Sequence, residues 1–85
     1  MNDKKKVLII DDQNVARGFF EMYVKMSDGY ELSGSLSVAE HALSYCAVHP
    51  VDLIIMDVMM KYGLDGLTVA KRIKEKYPEI KVILT

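Results

Sequence analysis

Cys46 is the only cysteine in the chain, which excludes an internal disulfide and fits a reducing cytoplasm. A small buried hydrophobe on a helix is the simplest role for it. Charge of one sign is equally scarce: 11 Lys and Arg stand against 12 Asp and Glu, a net charge of −1. That balance excludes a basic nucleic-acid surface in this segment. No apolar run approaches the roughly 20 residues of a membrane span. Met1–Lys6 is polar and basic with no apolar segment after it, so nothing suggests export. A G-x-G-x-x-G loop after the first apolar run is also lacking, which removes the dinucleotide-binding fold. What remains is a hydrophobic content of 51% in 85 residues, enough for one small globular core and too much for disorder.

Two short apolar runs organise that core. Val7-Leu8-Ile9-Ile10 ends on Asp11-Asp12, and Leu53-Ile54-Ile55-Met56 ends on Asp57. Continuous apolar runs of this length read as strands covered on both faces, as in parallel sheets. An acid directly after such a strand stands at the carboxyl edge of the sheet, where open α/β folds bind ligands. Asp57 alone could equally start a turn or cap a helix. The matching Asp11-Asp12 pair changes the balance, because adjacent parallel strands lie about 4.8 Å apart and would bring all three acids together. Three carboxylates so close repel unless a cation sits among them. Hard oxygen ligands with coordination positions to spare suit Mg²⁺, which keeps waters and accepts phosphate oxygens. A carboxylate beside such an ion can act as a nucleophile toward phosphorus.

Between and after these strands the period changes. Val15, Phe19, Met22, Tyr23 and Met26 recur at steps of three and four, predicting a helix with these residues in the core. Asp12–Asn14 supplies capping side chains for it, and Asp28-Gly29 supplies its end. Tyr30–Leu36, interrupted by Ser33-Gly34-Ser35, reads as an edge strand. Ser37-Val38-Ala39-Glu40 has the spacing of a capping box opening a second helix with Ala39, Ala42, Leu43 and Cys46 inward, closed by Pro50. His41 and His49 have no partner ligand at metal spacing and read as exposed. A third helix starts at Asp65-Gly66, with Leu67, Ala70, Ile73 and Tyr77 inward and Lys71, Lys74, Glu75 and Lys76 outward. Pro78 stops it, and Ile80–Leu84 forms a fourth strand ending on Thr85. Strands and helices alternate throughout, which predicts an α/β fold with a doubly wound parallel sheet.

The acidic pair, Asp57, Leu64-Asp65-Gly66-Leu67 and Lys81-Val82-Ile83-Leu84-Thr85, in this order and spacing, resemble the receiver domain of bacterial two-component response regulators. The resemblance runs from Lys6 to Thr85. It implies a flavodoxin-like sheet of order 2-1-3-4-5, here reaching only the fourth strand, so that residues 1–85 read as a partial receiver domain. The family's fifth strand, with its phosphoryl-contacting lysine, and its last helices would be absent. It implies Asp57 as phosphoacceptor, with Mg²⁺ contacted by Asp12, Asp57 and the Met59 backbone carbonyl, and by Asp11 mainly through water. Thr85 would hydrogen-bond the phosphoryl group.

The implied partner is a sensor histidine kinase or phosphotransfer protein, in the cytoplasm, and the protein is a phosphoacceptor with at most autocatalytic transfer, not an enzyme. The sequence departs from the family at Lys61-Tyr62, where a proline is usual, and has one residue more before Asp65-Gly66. Asp12 followed by Val15-Ala16-Arg17-Gly18, together with Leu32-Ser33-Gly34, resembles receivers attached to LuxR-type helix-turn-helix domains, which implies a DNA-binding output outside these residues and control of transcription. Two further readings compete. A receiver-like interaction module would lack effective phosphotransfer. A haloacid-dehalogenase-like phosphatase needs a second Asp where Met59 stands, and is set aside. A fourth strand with nothing beyond it also predicts self-association, by edge pairing or strand exchange.

Overall fold

Val7, Leu8, Ile9 and Ile10 are all essentially inaccessible to solvent, because the strand they form has neighbours on both edges and both faces. The computed structural model describes residues 3–61, 63 and 65–85, so Met1 and Asn2, together with Tyr62 and Leu64 of the expected loop, lie outside the described residues. Four strands, β1 (Lys5–Ile10), β2 (Tyr30–Leu36), β3 (Leu53–Met56) and β4 (Lys81–Leu84), alternate with helices α1 (Asn14–Met26), α2 (Ala42–Val48) and α3 (Gly66–Lys76). The sheet is parallel throughout, in the order β2-β1-β3-β4, as the flavodoxin-like pattern requires.

Side chains alternate across the sheet, and each face builds its own core. Leu8, Ile10, Ile54 and Met56 pack with Ala39, Ala42, Val69, Ala70 and Ile73 beneath α2 and α3. Val7 and Ile9 pack with Val24 of α1, flanked by half-buried Phe20, Leu32, Leu53 and Ile55. The second cluster is thinner, since a single helix covers that face among the described residues. β4 has no neighbour on its outer side among the described residues, and Ile83 and Leu84 are exposed.

β2 is the edge strand its composition predicts, and the reason for Ser33-Gly34-Ser35 is local. The register against β1 slips between Leu32 and Gly34, a bulge that leaves Ser33 unpaired and turns it outward from the ladder. Tyr45 of α2 fills the space, its hydroxyl donating to the Ser33 carbonyl at 2.6 Å. A Cβ on Gly34 would collide with the Tyr45 ring.

Several expectations are corrected. The stripe of Val15, Phe19, Met22, Tyr23 and Met26 is exposed, from 52% at Met22 to 77% at Met26. The face of α1 that meets the sheet carries Phe20 and Val24 instead. Two apolar rows lie side by side on this helix, and periodicity cannot say which one the sheet takes. Gln13, within the Asp12–Asn14 stretch, occupies the N-cap of α1 but makes no side-chain cap. α1 stops at Met26 with Ser27 at its C-cap, so Gly29, with φ +85°, belongs to the turn into β2. The capping box before α2 does not form: a short 3-10 turn over Ala39–His41 precedes the helix, with no side-chain cap. Leu67 is 47% exposed and Val69 takes its place in the core. Ala39, Ala42, Ala70 and Ile73 are buried as expected, and His41 and His49 are exposed, with the His49 ring stacked on Tyr45 at 4.0 Å.

A candidate phosphoacceptor and metal site

The register of β1 against β3 pairs Ile10 with Met56, so the next residues along, Asp11 and Asp57, leave the sheet side by side. The ladder extends one step further through Asp57 N–H to the Ile10 carbonyl at 2.9 Å, and Asp11 N–H to the Leu36 carbonyl at 3.0 Å. β1 sends its chain to one face of the sheet and β3 sends its chain to the other, which makes this edge the switch point of the fold. One oxygen each from Asp11, Asp12 and Asp57 lies within 4.8 Å of the others. Asp11 is buried, while Asp12 and Asp57 are half-buried.

Each carboxylate is oriented by a backbone N–H. Asp11 Oδ1 accepts from Gln13 at 2.9 Å, Asp57 Oδ1 from Met59 at 2.9 Å, and Asp12 Oδ2 from Lys61 at 3.0 Å. Asp12 Oδ1 is buried and has no hydrogen-bond partner among the described residues. A buried carboxylate oxygen without a donor is costly, and a cation is the partner that would satisfy it. Three oxygens from three acids, all hard ligands, therefore fit Mg²⁺.

Thr85 is joined to the end of β3 by its backbone. Its N–H donates to the Met56 carbonyl at 2.9 Å, and its carbonyl accepts from Val58 N–H at 3.2 Å. The end of β4 thus brackets Asp57 on both sides in sequence. Met59 contributes its backbone here, and its side chain is 79% exposed. Gly66 opens α3 against the same loop: a Cβ there would stand 2.9 Å from Val58 Cα and closer still to the Asp57 carbonyl oxygen. Asp65 caps α3 by accepting from Thr68 N–H at 2.7 Å, and that bond holds its carboxyl below the usual carboxylate range.

Arg17, part of the Val15-Ala16-Arg17-Gly18 stretch but not among the expected site residues, reaches the acidic loop. Its guanidinium donates to the Asp11 carbonyl at 2.8 Å and to Asn14 Oδ1 at 2.7 Å. It therefore ties the first turn of α1 to the acidic loop, and the only signal for it was a cation six residues after an acid. Of the two prominent ion pairs, Arg17–Glu21 at 3.9 Å lies nearer the site, while Lys6–Glu31 links β1 to β2 elsewhere. A groove of about 570 Å³ between α3 and β4 is lined by residues including Ala70, Lys74, Val82 and Leu84 and shares no residue with the acidic cluster. The cluster itself is an open set of oxygens, suited to an ion and a phosphoryl group more than to an enclosed organic substrate.

Comparison with known proteins shows the family and the fold. Residues 7–85 match the response regulator receiver domain family. The oxygen regulatory protein NreC of Staphylococcus haemolyticus is 30% identical over 79 residues, covering 93% of this chain and 36% of NreC. The nitrate/nitrite response regulator protein homolog of Haemophilus influenzae is 31% identical over 84 residues, covering 99% of this chain and 40% of its own. The chain thus spans well under half the length of these relatives. Among solved structures, the signal receiver domain of an HD domain-containing protein from Pseudomonas fluorescens superposes with a TM-score of 0.83 at 28% identity, over 95% of this chain and 62% of that one. The non-phosphorylated receiver domain of RcsB from Escherichia coli shares the fold, with a TM-score of 0.83 at 22% identity over 96% of this chain and 64% of that one. With the strand order, the acidic switch point and the matched span in agreement, the chain belongs to the response regulator receiver domain family of two-component signalling.

Proposed function

We propose that Asp57 is the phosphoacceptor of this receiver and takes its phosphoryl group from a phosphohistidine on a partner sensor kinase or phosphotransfer protein. The observation that carries the reading is the convergence of Asp11, Asp12 and Asp57 within 4.8 Å at the switch point. A carboxylate oxygen of Asp57 attacks phosphorus in line; the P–N bond breaks, and the imidazole nitrogen leaves with the electron pair and picks up a proton. Bound Mg²⁺ supplies charge neutralisation for the transferring oxygens. When bound, the ion would be held by Asp12, Asp57 and the Met59 carbonyl, with Asp11 acting mainly through water. Thr85, bonded by its backbone beside Met56 and Val58, offers its hydroxyl to a phosphoryl oxygen. The reaction is autocatalytic within the receiver.

NreC and the Haemophilus influenzae protein are regulators by name, and RcsB of Salmonella enterica has been solved bound to the promoter rprA. The output proposed for the whole protein is therefore a DNA-binding domain outside these residues, with transcription as its target. The setting proposed is the cytoplasm; no helix of the described residues is long and apolar enough to cross a membrane. Incubation with acetyl phosphate and Mg²⁺, read by intact-protein mass, tests the acceptor. One added phosphoryl group is expected, and none in Asp57→Asn. An Asn variant that labels as well as the wild type would refute the role of Asp57. A folded wild type that never labels would leave the interaction module as the better reading.

A further inference from the structure

We infer that Arg17 is a positioning residue for the metal, a clamp on the backbone that presents Asp11 and Asp12 to the ion. The inference rests on the receiver reading above and adds a residue to it. β1 ends at Ile10, and Asp11 is where the chain leaves the sheet. The Asp11 N–H still makes a ladder bond, to the Leu36 carbonyl at 3.0 Å. Its carbonyl stands past the last ladder pair, and at a buried residue such a carbonyl needs another donor. Arg17 supplies it through Nη1, at 2.8 Å.

A peptide unit is planar, so a bond at the Asp11 carbonyl orients the whole unit that joins Asp11 to Asp12. The Leu36 bond orients the unit before it. With both units held, the direction in which Asp12 leaves the sheet edge is held too, and with it the buried Oδ1 that has no donor among the described residues. An arginine suits this task because its guanidinium is a planar fork of several donors. While Nη1 holds the carbonyl, Nη2 donates to Asn14 Oδ1 at 2.7 Å, and Nε lies 3.9 Å from Glu21 Oε2, one turn further along α1. Glu21 is itself held from β2 by Ser35 Oγ, which donates to Oε2 at 2.6 Å. The clamp therefore spans the end of β1, the first turns of α1 and the edge strand. Glu21 also decides the sign of the effect. An unopposed guanidinium near the acids would repel a cation; opposed by Glu21, it acts through geometry.

Mg²⁺ titration of the 85-residue chain, followed by the amide NMR shifts of the folded molecules, tests the inference. Arg17→Met removes every donor and is expected to weaken binding on the order of tenfold, the scale of losing an outer partner of a metal ligand. Arg17→Lys keeps the charge without the fork and is expected to weaken it as much. Val24→Ala loosens the packing of α1 at the end remote from Asp12; it should lower the urea midpoint and keep the wild-type affinity. Wild-type affinity in Arg17→Lys overturns the inference, because charge alone would then suffice. Tighter binding in Arg17→Met overturns it, since the guanidinium would then be only a repelling charge. Equal weakening in Val24→Ala and Arg17→Met overturns it as well, by making helix packing the cause. The Arg17 side chain gives a direct signature: its Nη protons should be resolved in the wild type and shift as Mg²⁺ is added. A single averaged signal that ignores Mg²⁺ overturns the clamp. A wild type that binds no Mg²⁺ overturns the metal reading and this inference with it. Binding that Asp12→Ala abolishes and Arg17→Met leaves at wild-type strength removes the role of Arg17 alone.

Discussion

Two glycines in helices make opposite predictions from the same substitution. Gly18 lies inside α1, and a Cβ built on it meets nothing within 4 Å. Gly18→Ala therefore removes a conformational penalty at no steric cost, a gain of about 0.5–1 kcal/mol. Gly66 is buried at the first turn of α3, and there a Cβ would stand 2.9 Å from Val58 Cα and 3.2 Å from the Asp57 carbonyl carbon. These are backbone atoms, held by the β3 ladder and by Val58 N–H on the Thr85 carbonyl, so no side chain can swing aside. The start of α3 must back away by several tenths of an ångström, at the cost of overpacking, about 1–3 kcal/mol.

Urea unfolding followed by far-ultraviolet circular dichroism measures both. With a slope of about 1 kcal/mol per molar for so small a chain, the midpoint should rise by up to about 1 M in Gly18→Ala and fall by about 1–3 M in Gly66→Ala. Because Asp57 sits in the displaced loop, Gly66→Ala should also label more slowly with acetyl phosphate, while Gly18→Ala keeps the wild-type rate. A Gly66→Ala protein of undiminished stability would refute the close-approach argument. So would a Gly18→Ala protein that loses as much as Gly66→Ala.

Two further outcomes follow from surface and charge. The exposed α1 stripe, and a β4 edge without a neighbour among the described residues, should make the chain self-associate at micromolar concentration. Replacing Phe19 and Tyr23 by lysine should lower the associated fraction in light scattering without changing the urea midpoint, and a wholly monomeric wild type would contradict it. The Asp65 cap gives a pH signature: its carboxyl is held below 3.8 by the Thr68 N–H, so its contribution is present above that value and fades as pH falls through the folded-state value. Asp65→Ala should be less stable than wild type at pH 6 and indistinguishable from it once both carboxyl states are protonated; a difference independent of pH would count against the cap.

Much of this protein was legible without coordinates. Val7–Ile10 and Leu53–Met56 are apolar without interruption because both faces of each strand are wanted by the core, and an acid after each can only sit at the sheet edge. Alternation with short connections then left a parallel sheet as the natural solution, and the family resemblance supplied its strand order. Helix faces were less legible. In α1, Phe20 and Val24 run beside Phe19 and Tyr23, and only the position of the helix over β1 and β2 decides which row is buried. The capping box before α2 failed because the chain there tightens into a 3-10 turn, a choice made by packing Ala39 and Ala42 into the core. At the site, residue identity and spacing named Asp11, Asp12 and Asp57. The donors that aim them, above all the Lys61 N–H, are backbone atoms common to every residue but proline. No sequence pattern distinguishes one N–H from another; only the folded loop brings this one to Asp12.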